Sequence, residues 1–235
     1  MVLILTSAIY ANSNFLSLVD SSTRLFYTLE SLFKWHYYYP DLKIVLCDGS
    51  GYDFSTYKKY FNSNVEFLSF ENSSDKTLHK GKGFGEGEII NFAIKNSFLL
   101  ENEPVFIKCT AKLFVENFSS INLEKTDKVR FNFSKTVDDD ILIDTRFYLS
   151  NKLFYINNIS MLYLDVNDSI DVTLERVYGK KFFKNDLITF SNIFVIPPII
   201  SGMSGTTACY SRISFYDQIK IYLRHFIKLL GLLRL

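Results

Sequence analysis

Residues Leu78–Ser97 read LHKGKGFGEGEIINFAIKNS, where glycines at positions 81, 83, 85 and 87 alternate with larger side chains. An apolar helical pattern follows directly from Ile89. Glycine lets a backbone approach a ligand closely, and the first turn of a helix offers N–H groups to an anion. We therefore predict a glycine-rich loop, flanked by Lys80 and Lys82, that binds a phosphate or pyrophosphate. The alternative is a flexible loop that only caps the helix, since the spacing matches neither a dinucleotide fingerprint nor a P-loop.

The composition indicates one domain with a substantial core. The chain has 235 residues, of which 48% are hydrophobic, and this length fits a single domain. Lys and Arg number 26 against 25 Asp and Glu, whereas a nucleic-acid binder usually carries a basic excess, so no nucleic-acid partner is expected. Cys47, Cys109 and Cys209 show neither disulfide nor zinc spacing, which is typical of a reducing cytosol.

The first residues predict a buried strand. Val2–Ala8 is a short apolar run without the positive region that opens a signal peptide. No run of 18 apolar residues occurs that would predict a membrane span. Thr6 and Ser7 end this strand, at the edge where ligands bind in open α/β sheets. A helix is predicted over 24–38.

A second strand ends in an acidic turn. Lys43–Cys47 is apolar, and Asp48, Gly49 and Ser50 follow it at once. A carboxylate at a strand end is well placed to accept hydrogen bonds from a base or a ribose. The alternative is an ordinary Asx turn. We favour the binding role, because strand, acid and turn are in register with the first strand–helix unit.

Later segments continue the alternation of strands and helices. Strands are predicted at Val65–Phe70 and Pro104–Lys112, and the second of these carries Lys108, Thr110 and Lys112 at its polar end. The pattern predicts an α/β fold with a Rossmann-like, mostly parallel central sheet flanked by helices. We expect one domain over 1–211 and a separate helix over 212–235.

The C-terminal segment is a basic amphipathic pattern. Its predicted apolar face comprises Ile219, Tyr222, Leu223, Phe226, Leu230 and Leu233, while Lys220, Arg224 and Lys228 follow one another at intervals of four. This is typical of a helix that lies on an anionic membrane surface. The alternative is a helix docked on the domain with a solvated charged face.

The chain also contains the stretches ILTSAI, KIVLCDGSG, KGKGFGEGEIINFAI, FIKCTAKLFVENF, DTRFYLSNKLFY, LERVYGKKFF and ISGMSGT. Together these resemble GT-A glycosyltransferases, and in particular small bacterial transferases of lipopolysaccharide and capsule assembly. The resemblance spans residues 2–207. It implies a nucleotide-sugar donor, a glycan or lipid-linked glycan acceptor, and a cytoplasmic enzyme held on the inner face of the cytoplasmic membrane through 215–235.

The sequence departs from the GT-A pattern at the end of the strand 104–112. GT-A enzymes commonly carry an Asp-x-Asp motif there that binds a divalent metal on the donor's pyrophosphate, whereas this chain has KCTAK. Lysine charges can neutralise a leaving diphosphate instead, so the resemblance implies a metal-independent transferase. The competing metal site is Asp138 and Asp140, whose spacing suits Mg²⁺ or Mn²⁺.

The resemblance and the polar strand ends together predict which residues form the site. The predicted donor-binding residues are Thr6, Ser7, Asp48, Ser50, Lys82, Gly83, Gly85, Lys108, Thr110 and Lys112. The predicted base is a carboxylate, for which Glu86, Asp144 and Glu175 are candidates. Glu86 is preferred because it lies among the glycines, whereas Asp144 stands beside Arg146 and such pairs are more often structural.

Two other functions fit the same patterns. One is a nucleotidyltransferase or another Rossmann-like enzyme that uses the glycine-rich segment for a nucleotide and requires a metal. The other is a non-catalytic peripheral membrane protein whose glycine-rich segment is only flexible. The sequence does not identify the donor, the acceptor or the stereochemistry of transfer.

Overall fold

The computed structural model describes residues 1–11, 16–123, 126–137, 140–184 and 192–232. The strands are β1 (Val2–Ser7), β2 (Lys43–Asp48), β3 (Val65–Ser69), β4 (Val105–Thr110), β5 (Leu113–Val115), β6 (Val129–Val137), β7 (Asp140–Asn151), β8 (Ile200–Met203) and β9 (Tyr210–Ser211). The helices are α1 (Ser21–Tyr38), α2 (Ser74–Lys80), α3 (Lys82–Asn96), α4 (Lys152–Asn158), α5 (Leu174–Lys184) and α6 (Phe215–Leu232).

The central sheet has six strands in the order β3-β2-β1-β4-β7-β6. The first four of these pair in parallel, and β7 and β6 continue the sheet as antiparallel strands. The predicted α/β fold with a mostly parallel sheet is therefore confirmed. The chain proceeds from β1 through β2 to β3 on one side and returns to place β4 on the other. The gap between β1 and β4 is thus a topological switch point, where open α/β sheets bind ligands.

Helices cover both faces of this sheet. Alternate residues of β1 belong to different clusters: Val2 and Ile4 pack with Ile90 of α3, whereas Leu3 and Leu5 pack with Trp35 of α1. Burial on both faces explains why the strand is a continuous apolar run. A second sheet, in the order β5-β8-β9, is antiparallel.

The glycine-rich segment is the main correction to the sequence prediction. It is not a loop, because α3 begins at Lys82 and includes Gly83, Gly85 and Gly87. These glycines allow close helix packing: an added Cβ would lie 3.0 Å from Leu174 Cβ at Gly83, and at Gly87 it would overlap Tyr163. Of the four alternating glycines, Gly81 alone has a positive φ, of 98°.

The first turn of α3 already faces a carboxylate of the protein. An added Cβ at Gly81 would overlap the Asp168 side chain. Burial raises the pKa of Asp168, while Lys82 and the nearby backbone N–H of Gly83 oppose that shift. An acid at this position complements the positive end of the helix. The predicted phosphate cradle at this helix start is therefore occupied by the protein itself.

Other boundaries also differ from the sequence prediction. The helix predicted over 24–38 begins at Ser21, and the strand predicted at Pro104–Lys112 ends at Thr110, so that Lys112 lies beyond it. Within the described chain, no helix is both long and apolar enough to cross a membrane.

Candidate functional site

A cavity of about 240 Å³ opens at the switch point between β1 and β4. Eight predicted site residues line it, namely Thr6, Ser7, Lys82, Gly85, Glu86, Thr110, Lys112 and Glu175. Asp48, Ser50, Gly83, Lys108 and Asp144 do not line it. Residues from β1, α3, β4, α5 and the turn after β8 thus converge on one space.

Lys112, two residues beyond β4, brings an unpaired cation to this cavity. The residue is only 5% exposed, and its side chain makes no hydrogen bond or ion pair with the described part of the chain. Burial lowers the pKa of Lys112 to about 7, with the positive charges of Arg24 and Lys108 acting in the same direction and Asp48 opposing them. A buried cation without a partner is unfavourable, so this wall of the cavity is suited to an anionic ligand.

Arg24 of α1 is a cavity residue that the sequence analysis missed. It is buried, and it donates through Nε to the Ala8 carbonyl at 2.6 Å and through Nη1 to the Leu18 carbonyl at 2.8 Å. The Leu18 N–H in turn donates to the Gly205 carbonyl at 3.2 Å. Arg24 therefore holds the segment after β1 near the turn after β8. A basic residue in the first turns of an amphipathic helix gives no sequence signal of such a role.

Glu86 of α3 is fixed by contacts from two strands. Its Oε1 forms an ion pair with Lys108 Nζ and accepts a hydrogen bond from Thr6 Oγ1 at 3.3 Å. The ammonium of Lys108 also donates to the Thr145 carbonyl at 2.7 Å and to Thr110 Oγ1 at 3.1 Å. All three donors of Lys108 are thus engaged. This geometry leaves Lys108 no free N–H group for the contact with donor phosphates that the sequence analysis predicted. Lys108 instead holds the carboxylate of Glu86 in place.

Lys108 is fully buried, and this position changes its protonation. Burial lowers the pKa of Lys108 to about 8, although Cys109, Glu175 and Asp144 act in the opposite direction. Charged lysines in protein interiors are stable only with partners. The contact with Glu86 supplies that partner.

Asp48 and Ser50 organise the rim of the cavity rather than its wall. The fully buried Asp48 carboxylate accepts from Ile9 N at 3.0 Å, from Ser50 N and Oγ at 2.8 and 2.6 Å, and from Tyr52 N at 3.2 Å. Ser50 Oγ accepts from Tyr10 N at 3.0 Å. These are the contacts of an Asx turn, which the sequence analysis gave as the alternative to a binding role for Asp48. The direct contact of Asp48 and Ser50 with a nucleoside stays a prediction.

The other two candidate carboxylates have different surroundings. Asp144 is buried and accepts three hydrogen bonds from Arg146, from its backbone N at 3.1 Å, from Nε at 2.9 Å and from Nη2 at 2.7 Å. Burial, the largest single effect, acts to raise the pKa of Asp144, but the charge and hydrogen bonds of Arg146, with the charge of Lys108, together outweigh it and the pKa is lowered. Glu175 lines the cavity and accepts from Thr145 Oγ1 at 3.1 Å. Glu86 and Glu175 are therefore the two candidate bases that face the cavity.

The end of β4 does not fit a divalent cation. It presents Lys108, Thr110 and Lys112, and buried ammonium groups repel a metal ion. Within the described ranges, no three His, Cys, Asp or Glu side chains are grouped to hold a metal. Asp138 lies outside the described residues, and only the backbone of Asp140 is described.

The C-terminal helix α6 docks on the domain but leaves apolar side chains exposed. His225 is 6% exposed, and its Nε2 lies 2.7 Å from the Phe194 carbonyl. By contrast, the exposed large side chains of α6 are Tyr216, Ile219, Tyr222, Leu223, Phe226 and Ile227. The side chains of Lys228, Leu230 and Leu233 are not described.

Comparisons with known proteins agree with the fold. No protein-family model and no curated protein matches the sequence. The galactosyltransferase LgtC, solved in complex with donor and acceptor sugar analogues, is similar with a TM-score of 0.55 at 11% identity over 98% of this chain and 95% of LgtC. An active-site mutant of LgtC gives a TM-score of 0.48 at 11% identity over 82% and 71%. The chain therefore has the GT-A fold.

Proposed function

We propose that this protein is a glycosyltransferase that moves a sugar from a nucleotide-sugar donor to a bacterial surface glycan. The observation that carries the proposal is the buried Lys112, which has no partner among the described residues, on the wall of a switch-point cavity that also contains Glu86. Such a cavity is the usual nucleotide site of an open α/β sheet. The similarity of fold to LgtC, whose structure contains donor and acceptor sugar analogues, supports the same class of ligand here.

In this proposal, Lys112 neutralises the diphosphate that leaves the donor sugar. Lys82 is a second cation on the wall, and its Nζ donates to Thr206 Oγ1 from the turn after β8. A fixed positive charge lowers the barrier of a reaction in which negative charge develops on a leaving group. Because lysines occupy the end of β4, the transferase is proposed to act without a divalent metal.

Glu86 is the proposed base for the acceptor hydroxyl in an inverting transfer. Its Oε1 is held by Lys108 and Thr6, and no contact within the described residues engages its Oε2. The ion pair fixes the orientation of the carboxylate, as acid–base catalysis requires. Glu175 on the same wall is the alternative base.

The acceptor is proposed to be lipid-linked, because α6 provides a surface for an anionic membrane. Its exposed apolar residues include Leu223 and Phe226, and Lys220 and Arg224 lie on the same helix. Basic amphipathic helices bind the headgroup region of anionic bilayers. The enzyme would then act at the cytoplasmic face of the membrane, on a lipopolysaccharide, O-antigen or capsule acceptor.

Replacing Phe226 with glutamate tests this surface. We expect Phe226→Glu to weaken sedimentation with vesicles of anionic phospholipid by about tenfold or more, since burial of an aromatic side chain contributes about 1.5–3 kcal/mol. Tyr37, which is 78% exposed on α1, is the matched control, and Tyr37→Glu should bind as the wild type does. Equal sedimentation of wild type and Phe226→Glu would contradict the membrane role.

Thermal unfolding with nucleotides tests the proposed function. We expect UDP, GDP, CMP or ADP to raise the melting temperature in EDTA, because a ligand at a hundred times its Kd stabilises by about 2.7 kcal/mol. For a protein of this size, this corresponds to a shift of roughly 5–10 °C.

The other outcomes of this experiment favour the rival functions. A shift that requires Mn²⁺ would contradict metal independence. It is the result expected of a metal-dependent transferase that uses Asp138 and Asp140, and also of a nucleotidyltransferase. If none of the four nucleotides changes the melting temperature, the transferase proposal fails, and a non-catalytic protein of the membrane surface is favoured.

A further inference from the structure

Arg24 and Lys112 are neighbouring cations on one wall of the cavity. A Cβ added at Gly205 would lie 3.9 Å from Arg24 Nη1 and 3.7 Å from Lys112 Cε, so the two side chains meet at the turn after β8. The residues are 3% and 5% exposed, and both line the cavity. Two like charges that are buried beside each other repel, so this arrangement requires a group of opposite charge.

Each of these cations has a nitrogen atom without a hydrogen-bond partner in the described chain. Arg24 donates through Nε and Nη1 to the Ala8 and Leu18 carbonyls, which leaves Nη2. Lys112 Nζ has no contact of this kind with the described residues. Neither Nη2 nor Nζ is among the unpartnered atoms that are closed to solvent. A ligand in the cavity can therefore contact both nitrogens.

The acidic groups of the described chain do not neutralise this pair. Burial lowers the pKa of Arg24, and the charge of Asp48 opposes that shift. Burial and the charge of Arg24 lower the pKa of Lys112, and Asp48 again acts in the opposite direction. This single carboxylate already accepts four hydrogen bonds from the segments after β1 and β2. The carboxylates on the cavity wall, Glu86 and Glu175, contact β4 and β7 instead. A positive charge therefore remains for a ligand to neutralise.

Two adjacent cations define the charge and the shape of that ligand. An arginine presents several N–H groups in one plane, which suits phosphate oxygens, and a lysine is a compact point charge. A diphosphate has two adjacent, negatively charged phosphate groups, so it can contact both nitrogens at once. A carboxylate or a monophosphate has only one such group.

We propose that Arg24 is a further cation of the donor site and binds one phosphate group of a diphosphate through Nη2, while Lys112 binds the other. This inference rests on the proposed function, since a nucleotide-sugar donor supplies the diphosphate. Because Nε and Nη1 keep their carbonyl partners, the guanidinium is already oriented before the anion binds.

The test is Arg24→Gln, which keeps an amide donor but removes the charge. The ligands are UDP, UMP and uridine, together with the corresponding guanosine, adenosine and cytidine compounds. Calorimetric titration measures the Kd of each nucleotide, and competition against the diphosphate measures that of the nucleoside. We expect the variant to bind the diphosphate about 10- to 100-fold more weakly, as for loss of one hydrogen bond to a charged group. Its affinity for the nucleoside should be unchanged.

Lys34→Gln is the matched control. Lys34 lies on the same helix, α1, and pairs with Glu116 at 2.9 Å outside the cavity. This variant loses a positive charge as Arg24→Gln does, but it should bind every ligand as the wild type does.

The monophosphates test whether each cation binds its own phosphate group. Arg24→Gln and Lys112→Met should both weaken binding of the diphosphate, but only one of them should weaken binding of the monophosphate. Weakening of the monophosphate by both substitutions would overturn this one-to-one arrangement.

A purely structural role of Arg24 gives a different result. Loss of its contacts with Ala8 and Leu18 would weaken binding of the nucleoside and the diphosphate alike. That result, or wild-type affinity of Arg24→Gln for the diphosphate, overturns the inference and leaves the transferase proposal standing. Failure of the wild type to bind any of these compounds overturns both.

A second variant covers the case in which Arg24→Gln does not fold. Arg24→Lys keeps the charge but has no second terminal nitrogen for the anion. It should weaken binding of the diphosphate by about three- to tenfold, again with the nucleoside unaffected. Wild-type affinity of Arg24→Lys for the diphosphate would contradict the role of Nη2.

Discussion

Replacing Glu86 with glutamine is expected to lower kcat for sugar transfer by about 10²–10⁴-fold, the usual contribution of a general base, with nucleotide affinity unchanged. Glutamine keeps the shape of the side chain and an oxygen that can accept from Lys108 and Thr6, but it cannot take a proton from the acceptor. The measurement is the steady-state rate of transfer, together with the Kd of the nucleotide by calorimetry.

Two further variants make this result specific. Glu88 lies two residues further along α3 and accepts from Ser73 N and Oγ at 3.0 and 2.7 Å, outside the cavity. Glu88→Gln should therefore transfer sugar at the wild-type rate. Wild-type turnover in Glu86→Gln would remove this residue from the base role, and a large loss in Glu175→Gln instead would assign that role to Glu175.

Replacing Lys112 with methionine is expected to weaken nucleotide-sugar binding by about 30-fold or more, since loss of one partner of a buried ionic contact costs about 2–5 kcal/mol. The unliganded variant should be as stable as the wild type or more stable, because it no longer buries a charge without a partner. The control is Lys43→Met, because Lys43 pairs with Glu103 at 2.8 Å on the surface. This variant should bind the nucleotide sugar as the wild type does. Tight binding by Lys112→Met would contradict the lysine-for-metal proposal.

Folding stability and donor binding should depend on pH in opposite directions. The pKa of Lys112 is about 7 in the folded protein against a model-compound value of 10.5, so the unfolded chain binds more protons between these values. The contribution of Lys112 to stability therefore rises with pH over this window. Donor binding needs the charged form, so it should weaken above pH 7 and take up a proton. Calorimetry at pH 8 in buffers of different ionisation enthalpy measures that uptake, which Lys112→Met should abolish.

The strands were predictable from sequence because local composition determines them. β1 and β2 each contain a continuous apolar run followed by polar residues, and β4 begins with one at 105–107, as burial on both sheet faces requires. The carboxyl ends of parallel strands share one edge, and Thr6, Thr110 and Lys112 line one cavity there. This part of the site follows from topology alone.

The rest of the site depends on contacts between distant segments. The glycines of α3 look like a loop because glycine has low helix propensity. Gly83 and Gly87 are explained only by close packing against Leu174 and Tyr163, which lie far along the chain. The same holds for the ion pair between Glu86 and Lys108. Asn72 and Thr77 also line the cavity, but they carry no motif that would identify them from the sequence.

The four hydrogen bonds of Asp48 also bear on attempts to recombine this protein with others. One carboxylate joins the segment after β1, through Ile9, to the segment after β2, through Ser50 and Tyr52. A chimera that imports either segment alone would leave N–H groups or carboxylate oxygens unmatched in the interior. The two segments therefore form a single module, and a change of ligand preference at this rim requires both to be exchanged together.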